Sequence, residues 1–269
     1  MNEIPLEQWP DRLNAAIDRL AASGSPLRRA VVLREVDSTQ DAAIRLNAKP
    51  GDVIVAWEQT RGRGRLGRRW SGGAERARGS SGAPAGAAVT FTLPAGVSER
   101  LSLLAGVAAA EAVESHLNRP VRLKWPNDVI VDGRKIAGVL VEQDRAVARV
   151  GVGINVSQCD WPDDLRSIAI SLAQAGACVD RLVVIETLIG ALSRCWVATD
   201  DALKEAFRRR DLLTGAHAVL RHDGREYEGA IIGIDPTRGL TIETIEGPRV
   251  LPAATTTIVR VETDGFARA

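Results

Sequence analysis

Four apolar runs of strand length follow one another in the middle of the chain without a helical pattern between them. They are the ranges 121–124, 129–131, 136–142 and 147–156. Asp132-Gly133 separates the second run from the third. An Asp-Gly pair between apolar runs is a strong hairpin signal, because the turn needs a positive φ at both positions. This region is therefore expected to form an antiparallel sheet, to which the other elements must attach.

Helical and strand patterns alternate around this region. The sequence predicts a helix over 6–22, a strand at 31–36, a short helix at 42–46, strands at 53–57 and 89–93, a helix from Ser98 to about Leu117, and helices at about 181–197 and 200–210. Parallel and antiparallel neighbours are both expected in such a chain. The expected fold class is α+β with a mixed sheet.

The pattern changes at Leu213. From there the chain has only short strand patterns, at 216–220, 227–234, 240–244 and 257–261, separated by turn residues that include Gly247-Pro248. This spacing favours a small antiparallel β-barrel. We therefore expect an N-terminal helix and lead-in over 1–30, a main domain over 31–212 and a small all-β domain over 213–269.

Composition excludes several classes of protein. With 35 Lys plus Arg and 34 Asp plus Glu, the formal net charge is +1, which argues against binding to nucleic acid or membranes through the overall field. Three cysteines without a CxxC pair, and three histidines, favour neither a disulfide framework nor a zinc site. The N-terminus lacks signal-peptide features, and no apolar stretch is long enough to span a bilayer. We expect a cytoplasmic protein.

The segment 61–88 is the compositional outlier, since 24 of its 28 residues are Gly, Arg, Ala or Ser, and it is expected to be mobile. Residues 59–70, QTRGRGRLGRRW, are called the arginine loop below. Its glycines allow close approach of a ligand to the backbone, its arginines suit phosphate or carboxylate, and Trp70 offers a flat face. A flexible linker or a general polyanion-binding patch is the alternative interpretation.

Two lysine-containing motifs complete the candidate site. Lys124-Trp125-Pro126-Asn127-Asp128 presents a cation, an amide and a carboxylate at one strand junction, although Pro-Asn-Asp is also ordinary turn chemistry. Lys135 begins the run KIAGVLV, where burial of its charge would require an anionic partner. The alternative is an exposed lysine at a strand end.

Taken together, the chain resembles the catalytic core of biotin protein ligases, which attach biotin to the carrier domains of carboxylases. The resemblance covers about residues 31–262. It rests on DSTQ at 37–40, EQTRGRGRLGRRW at 58–70, KWPNDV at 124–129, KIAGVLVE at 135–142 and VGVGINV at 150–156. Five motifs in one order are far more specific than any one of them. The resemblance implies a mixed-sheet catalytic domain followed by a small SH3-like β-barrel.

The resemblance also implies a two-step reaction. The carboxylate of biotin attacks the α-phosphate of ATP, with Mg²⁺ bound, and gives biotinyl-5'-AMP and pyrophosphate. A lysine of a biotin carboxyl carrier protein, from acetyl-CoA carboxylase or a related carboxylase, then displaces AMP. The segment 61–88 could close over the intermediate and protect it from water.

The resemblance assigns roles to residues of this chain. The expected biotin-binding residues are Ser38, Thr39, Gln40, Gln59, Arg63, Gly64, Arg65, Lys135 and Gly138. The expected nucleotide-binding residues are Arg65, Arg68, Trp70, Lys124, Asn127 and Asn155. Lys135, Arg65, Asp128 and Arg68 are the expected catalytic residues, and Asp128 is also the expected Mg²⁺ ligand.

The sequence departs from the family pattern at three places. Gln40 stands where the family commonly has Asn, and no aromatic residue lies between Trp70 and Phe91 to form a second wall around adenine. The single helix before Val31 is too short for a winged helix-turn-helix, so we expect a monofunctional ligase that does not bind DNA.

Three questions stay open at this point. A lipoate or octanoate ligase or transferase of the same fold is an alternative enzyme. A nucleic-acid-binding protein that uses the arginine loop as a basic arm is the alternative outside enzymes. An exposed strand edge could also pair with a second copy to form a homodimer.

Overall fold

A computed structural model describes residues 4–67, 70 and 84–262. Most of the segment predicted to be mobile therefore lies outside the described residues. Seven strands form the main sheet: β1 Arg29–Val36, β2 Asp52–Gln59, β3 Gly86–Pro94, β4 Arg122–Lys124, β5 Asp128–Val131, β6 Arg134–Gln143 and β7 Val147–Asn155. Their order is β1-β2-β3-β7-β6-β5-β4, with β1 and β2 parallel and the other neighbours antiparallel. The predicted α+β class with a mixed sheet is confirmed.

The central hairpin forms as predicted. Asp132 and Gly133 have φ values of 48° and 73°, which is the conformation that a tight hairpin turn requires. The turn joins β5 to β6, and the antiparallel register of these two strands places Asp128 beside Gly138. An aspartate of one motif and a glycine of another thus become neighbours.

Helices cover the sheet unequally. They are α1 Trp9–Asp18, α2 Thr39–Arg45, α3 Ser98–Glu114, α4 Asp163–Arg166, α5 Arg181–Val197 and α6 Asp200–Arg208. α3 and α5 pack against each other and against one face, where Phe91, Leu104 and Leu188 are completely buried. The short α2 packs on the opposite face, over Ile54. None of the helices in the described ranges is long and apolar enough to cross a membrane.

The sheet face beneath α2 is built from small residues. The strand register aligns two rows of side chains across it: Lys124, Asp128, Gly138, Gly153 and Ala88 in one, and Leu140, Gly151, Thr90 and Ile54 in the other. Three of these positions are glycine, so no side chain rises from the middle of the face. Polar groups from α2 and from neighbouring loops can therefore lie directly on the sheet.

The C-terminal part forms a separate antiparallel sheet of five strands: β8 His217–His222, β9 Arg225–Asp235, β10 Gly239–Thr244, β11 Gly247–Leu251 and β12 Thr256–Glu262, in the order β11-β10-β9-β8-β12. The prediction of a turn at Gly247-Pro248 was wrong, because these residues begin β11. Proline is tolerated there since β11 lies at the edge of the sheet. The all-β character is confirmed, whereas barrel closure and the boundary at 213 stay predictions.

Candidate functional site

A buried group of side chains joins the start of α2 to β2 and β3. It comprises Ser38, Thr39, Gln40, Gln59 and Thr90, is called the polar cluster below, and none of its members is more than 7% exposed. The Ser38 hydroxyl caps α2 by accepting a hydrogen bond from the Gln40 backbone N–H at 3.2 Å. The Thr39 backbone N–H donates to Gln59 Oε1 at 2.9 Å, and Thr90 Oγ1 donates to Thr39 Oγ1 at 2.8 Å.

Gln40 extends across the sheet face. Its Nε2 donates to the Leu140 carbonyl at 2.9 Å, which fixes the orientation of the amide because a carbonyl can only accept. The side chain lies on Gly151, where an added Cβ would be 2.6 Å from Gln40 Nε2. Gln40 Oε1 is buried and accepts no hydrogen bond from the described residues. The polar cluster therefore retains a buried acceptor.

Lys135 and Asp128 form an ion pair at the other end of this face. Nζ lies 2.5 Å from Oδ1 of Asp128, and the side chains are 33% and 27% exposed. The contact is an ion pair and not an aligned hydrogen bond. The backbone of Lys135 is held by Ile168 and Ile170, through N–H···O=C bonds of 2.8 and 3.0 Å. Lys135 is therefore partly buried, and it has the anionic partner that burial of its charge would require.

Trp70 lies between the polar cluster and the ion pair. A Cβ added at Gly153 would come within 2.4 Å of the Trp70 ring, and one at Gly138 within 3.0 Å. The ring therefore rests directly on the backbone of Gly138 and Gly153, which is accessible because glycine has no side chain. Lys135 Nζ is 5.3 Å from the ring centroid, a favourable distance for a cation–π contact.

The arginine loop is anchored by groups of the protein itself. Arg63 Nη2 lies 2.9 Å from Asp41 and 2.8 Å from Glu142, and the Arg65 guanidinium donates to the Ala253 carbonyl between β11 and β12. With Gly64 and their neighbours these arginines line an open cleft of about 450 Å³. Arg68 lies outside the described residues.

The side-chain amides of Asn127 and Asn155 donate hydrogen bonds to backbone carbonyls of the protein. Asn127 Nδ2 donates to the Val139 carbonyl at 2.9 Å. Asn155 Nδ2 donates to the carbonyls of Ile170 and Lys135, at 3.0 and 3.3 Å. Both side chains therefore hold the backbone around the ion pair, and their predicted contacts with nucleotide stay predictions.

Lys124 is half-buried and occupies a separate position. It lines a small cleft between α3 and the C-terminal sheet, together with Glu99, Asp128, Pro236 and Ala253. The C-terminal sheet thus contributes to the surroundings of both Arg65 and Lys124, which no motif in its sequence had indicated.

The carboxyl group of Asp37 flanks the polar cluster. Arg45 donates two hydrogen bonds to it, at 2.6 and 3.0 Å, and the Ser38 backbone N–H donates a third at 2.8 Å. The hydrogen bonds from Arg45 are the main reason why the pKa of Asp37 is lowered to about 2. Asp37 is therefore ionised at neutral pH and neutralises Arg45.

Sequence reasoning missed four members of the site. Thr90 lies in an apolar strand pattern, and Asp41 and Glu142 resemble ordinary surface carboxylates. Ala253 acts through its carbonyl group, which no sequence pattern identifies. Only Thr90 carried a usable signal, since it is a hydroxyl at a strand position predicted to be buried.

Comparisons with known proteins agree with this geometry. Residues 83–158 match the Biotin/lipoate A/B protein ligase family. The chain is 32% identical over 238 residues to the biotin–[acetyl-CoA-carboxylase] ligase of Mycobacterium tuberculosis, covering 84% of this chain and 87% of that protein. It is 30% identical to the bifunctional ligase/repressor BirA of Bacillus spizizenii, covering 91% of this chain and 79% of that protein.

The fold agrees as well. The biotin protein ligase of Aquifex aeolicus in complex with biotin and ATP superposes with a TM-score of 0.75 at 29% identity, covering 86% of this chain and 98% of that one. Similarity of sequence and fold over most of both chains shows that this protein belongs to the biotin protein ligase family.

Proposed function

We propose that this protein is an ATP-dependent ligase that converts biotin to biotinyl-5'-AMP and transfers the biotinyl group to a lysine of a biotin carboxyl carrier protein. One observation carries the proposal: a buried polar cluster and a lysine–aspartate pair lie on the same glycine-lined sheet face, with Trp70 between them. An elongated ligand that is polar at one end and carries a carboxylate at the other fits this order. Biotin has that shape, with its urea ring and its acid-bearing tail.

The polar cluster favours biotin over lipoate. Gln40 Oε1 is a buried acceptor that has no partner among the described residues, and a urea N–H can satisfy it. The dithiolane ring of lipoate has no N–H to donate. It would leave buried polar groups unpaired, which costs considerable binding free energy. The same argument gives Gln40, in place of Asn, a direct contact with the urea.

In the first step, the charged side chains stabilise the developing negative charge. The biotin carboxylate forms a bond to the α-phosphorus while the bond to pyrophosphate breaks. Lys135 lies where it can contact both carboxylate and phosphate oxygens, and Arg63 and Arg65 hold the anionic groups from the arginine loop. Fixed cations act most strongly on charge that grows in the transition state.

The residues of the site fit a Mg²⁺ ion that arrives with the phosphates. Mg²⁺ is usually bound by one or two carboxylates together with substrate phosphates, and Asp128 supplies one such carboxylate. The described residues contain no group of three or more His, Cys, Asp or Glu that would form a complete protein site. Mg²⁺ bound there would add positive charge at the phosphates.

In the second step, the neutral amine of the carrier lysine attacks the carbonyl carbon of the mixed anhydride. The amide bond forms, AMP leaves with the bonding electrons, and the proton lost by the amine passes to solvent. Asp128 orients that amine through its carboxylate group. Homodimer formation, independence from DNA and a cytoplasmic location stay predictions.

The arrangement of the arginines disfavours a nucleic-acid-binding function. Arg63 is held by two carboxylates and Arg65 by a backbone carbonyl, so neither is displayed as part of an open basic arm. A steep dependence of generic DNA binding on salt concentration would support the other interpretation.

Intact-mass spectrometry of a biotin carboxyl carrier domain tests the proposed function. The domain is incubated with this protein, biotin and MgATP, with one reaction lacking ATP and one containing lipoate in place of biotin. We expect addition of a single biotinyl group, only with ATP, and no lipoyl addition.

Two results would count against the proposal. Addition of lipoyl in preference to biotinyl would favour the alternative enzyme of the same fold. Absence of both additions, together with absence of biotin binding by calorimetry, would reject the proposed ligase activity.

A further inference from the structure

Thr90 is a completely buried hydroxyl at the base of the polar cluster. It lies on β3, and the sheet register places it beside Gly151. Its Oγ1 donates to Thr39 Oγ1 at 2.8 Å, and Thr39 Oγ1 in turn donates to Gln59 Oε1 at 3.3 Å. Three different elements are thus joined by one chain of hydrogen bonds.

The direction of this chain follows from a backbone group. The Thr39 backbone N–H, 2.9 Å from the Gln59 amide, can only donate, so the facing atom of Gln59 must be its carbonyl oxygen. The Thr39 hydroxyl contacts the same oxygen and must therefore also donate to it. Since a hydroxyl has a single hydrogen, Thr39 can only accept from Thr90.

This direction determines what the cluster offers to a ligand. With Oε1 occupied by two donors, Gln59 has only its Nε2 hydrogens to present. Thr39 has used its hydrogen and one lone pair, so it can present only its other lone pair. A donor beside an acceptor is complementary to the adjacent C=O and N–H of a urea.

We propose that Thr90 is a positioning residue that sets the donor and acceptor pattern of the polar cluster for a cyclic urea. Its hydrogen bond holds the Thr39 hydroxyl in the orientation that donates to Gln59 and keeps a lone pair for ligand. Without the Thr90 hydroxyl, Thr39 can rotate about its Cβ–Oγ bond, and its free lone pair is no longer fixed. The proposal rests on the proposed function, since biotin supplies the urea.

Thr90→Val tests this inference, because valine has the same shape and lacks the hydroxyl. We expect the Kd of biotin to rise roughly fivefold to tenfold, as for the loss of one ordered hydrogen bond in a buried site. The kcat at saturating biotin and ATP should stay within about twofold of the unmutated protein, because Thr90 contacts neither reacting carboxylate nor phosphate. Thr90→Ser, which restores the hydroxyl, should recover the affinity.

Thr92→Val provides the matched control. Thr92 lies two residues further along β3 and is equally buried, and among the described residues its hydroxyl shares its one hydrogen between the carbonyls of Lys49 and Asp52, at 2.5 and 2.7 Å. Its loss should lower the thermal stability and leave the Kd of biotin unchanged. Equal weakening by both valine variants would overturn the proposal, as would a serine variant that binds as weakly as Thr90→Val.

A readout without ligand separates this inference from the proposed function. The Gln59 side-chain amide resonance, identified by its loss in Gln59→Met, should shift in Thr90→Val and stay in place in Thr92→Val. An unchanged resonance in Thr90→Val would overturn the proposed role of Thr90 in orienting Thr39 and Gln59. If the protein binds no biotin but this resonance responds as expected, the role of Thr90 in the hydrogen-bond chain is supported and the proposed function is rejected.

Discussion

The two ends of the candidate site are stabilised in different ways. The members of the polar cluster are at most 7% exposed, and their hydrogen bonds run to one another and to fixed backbone groups. The charged end, defined as Arg63, Arg65, Asp128 and Lys135, is partly exposed, and its cations are held by carboxylates and one carbonyl.

This difference shows how one face can perform two tasks. A ligand entering the polar cluster meets donors and acceptors whose orientation is already set, so little ordering is needed on binding. A phosphate entering the charged end must compete with Asp41, Glu142 and Asp128 for the same cations. The polar cluster is suited to recognition. The charged end is suited to reaction steps in which negatively charged phosphate groups bind, react and are released.

Lys135→Ala should have the largest effect. It removes the cation nearest to the reacting oxygens, so single-turnover formation of adenylate should slow by about 10² to 10³, as for loss of one transition-state donor. The Kd of biotin, which depends mainly on the polar cluster, should change much less. Rapid-quench measurement of labelled biotinyl-AMP and calorimetry provide the two values.

Lys204→Ala is the matched control for that variant. Lys204 also pairs with an aspartate, Asp235, at 3.2 Å and is similarly buried, but it lies on α6 outside both clefts. The Lys204→Ala variant should form the adenylate at the normal single-turnover rate. If Lys135→Ala lost biotin affinity but kept a normal single-turnover rate, Lys135 would act in binding and not in chemistry. The proposed division between a recognition end and a reaction end would then be wrong.

Arg65→Ala should have the next largest effect. It deletes both the side chain expected to hold the phosphate and the link to Ala253, so biotinyl-AMP should dissociate roughly tenfold to a hundredfold faster, as for loss of a charge-assisted hydrogen bond. Filtration of a pre-formed complex measures the retained intermediate. Arg100→Ala, which removes another guanidinium bonded to a backbone carbonyl, should retain it normally. Tight retention by Arg65→Ala would exclude the loop from this role.

Glu142→Gln tests competition at the charged end with a smaller effect. The substitution removes one of two carboxylates that hold Arg63, so the KM for ATP should fall by about twofold, in keeping with the small contribution of exposed ion pairs. Asp144→Asn breaks a comparable pair with Arg149 in the turn between β6 and β7, where neither residue lines the two clefts, and should leave the KM unchanged. A higher KM in Glu142→Gln would mean that the carboxylate assists binding.

The sequence predicted local structure better than it predicted which side chains contact each other. The Asp132-Gly133 hairpin follows from short-range chemistry, and it forms as expected. Lys135 required an anionic partner, but only the register of β5 with β6 shows that the partner is Asp128.

Long-range contacts account for what was missed. Thr90 approaches Thr39, 51 positions earlier in the chain, because β3 lies beneath α2. Arg65 reaches Ala253, 188 positions later, through packing of the C-terminal sheet. The pattern of apolar residues specifies which face of a strand is buried, whereas it does not specify which loop covers that face.

The smallest predicted effect concerns pH at the polar cluster. Asp37 has a pKa of about 2, below its ordinary 3.8, so its stabilising contribution is complete above pH 3.8 and is lost as pH falls from 3.8 through 2. Binding of biotin methyl ester, which has the urea but no carboxylate, should therefore vary by less than about twofold between pH 5 and 8, because Asp37 stays ionised throughout.

Asp37→Asn provides the direct test of this pH prediction. It removes the titrating group next to Ser38, and binding of the ester at pH 7 should weaken by about twofold at most, since the Asp37–Arg45 pair is partly exposed. Asp144→Asn removes a carboxyl whose pKa is also about 2 and should have no effect on the ester. Ester affinity that changed steeply between pH 5 and 8 would mean that charge governs both ends, since hydrogen bonds between neutral groups do not titrate in that range.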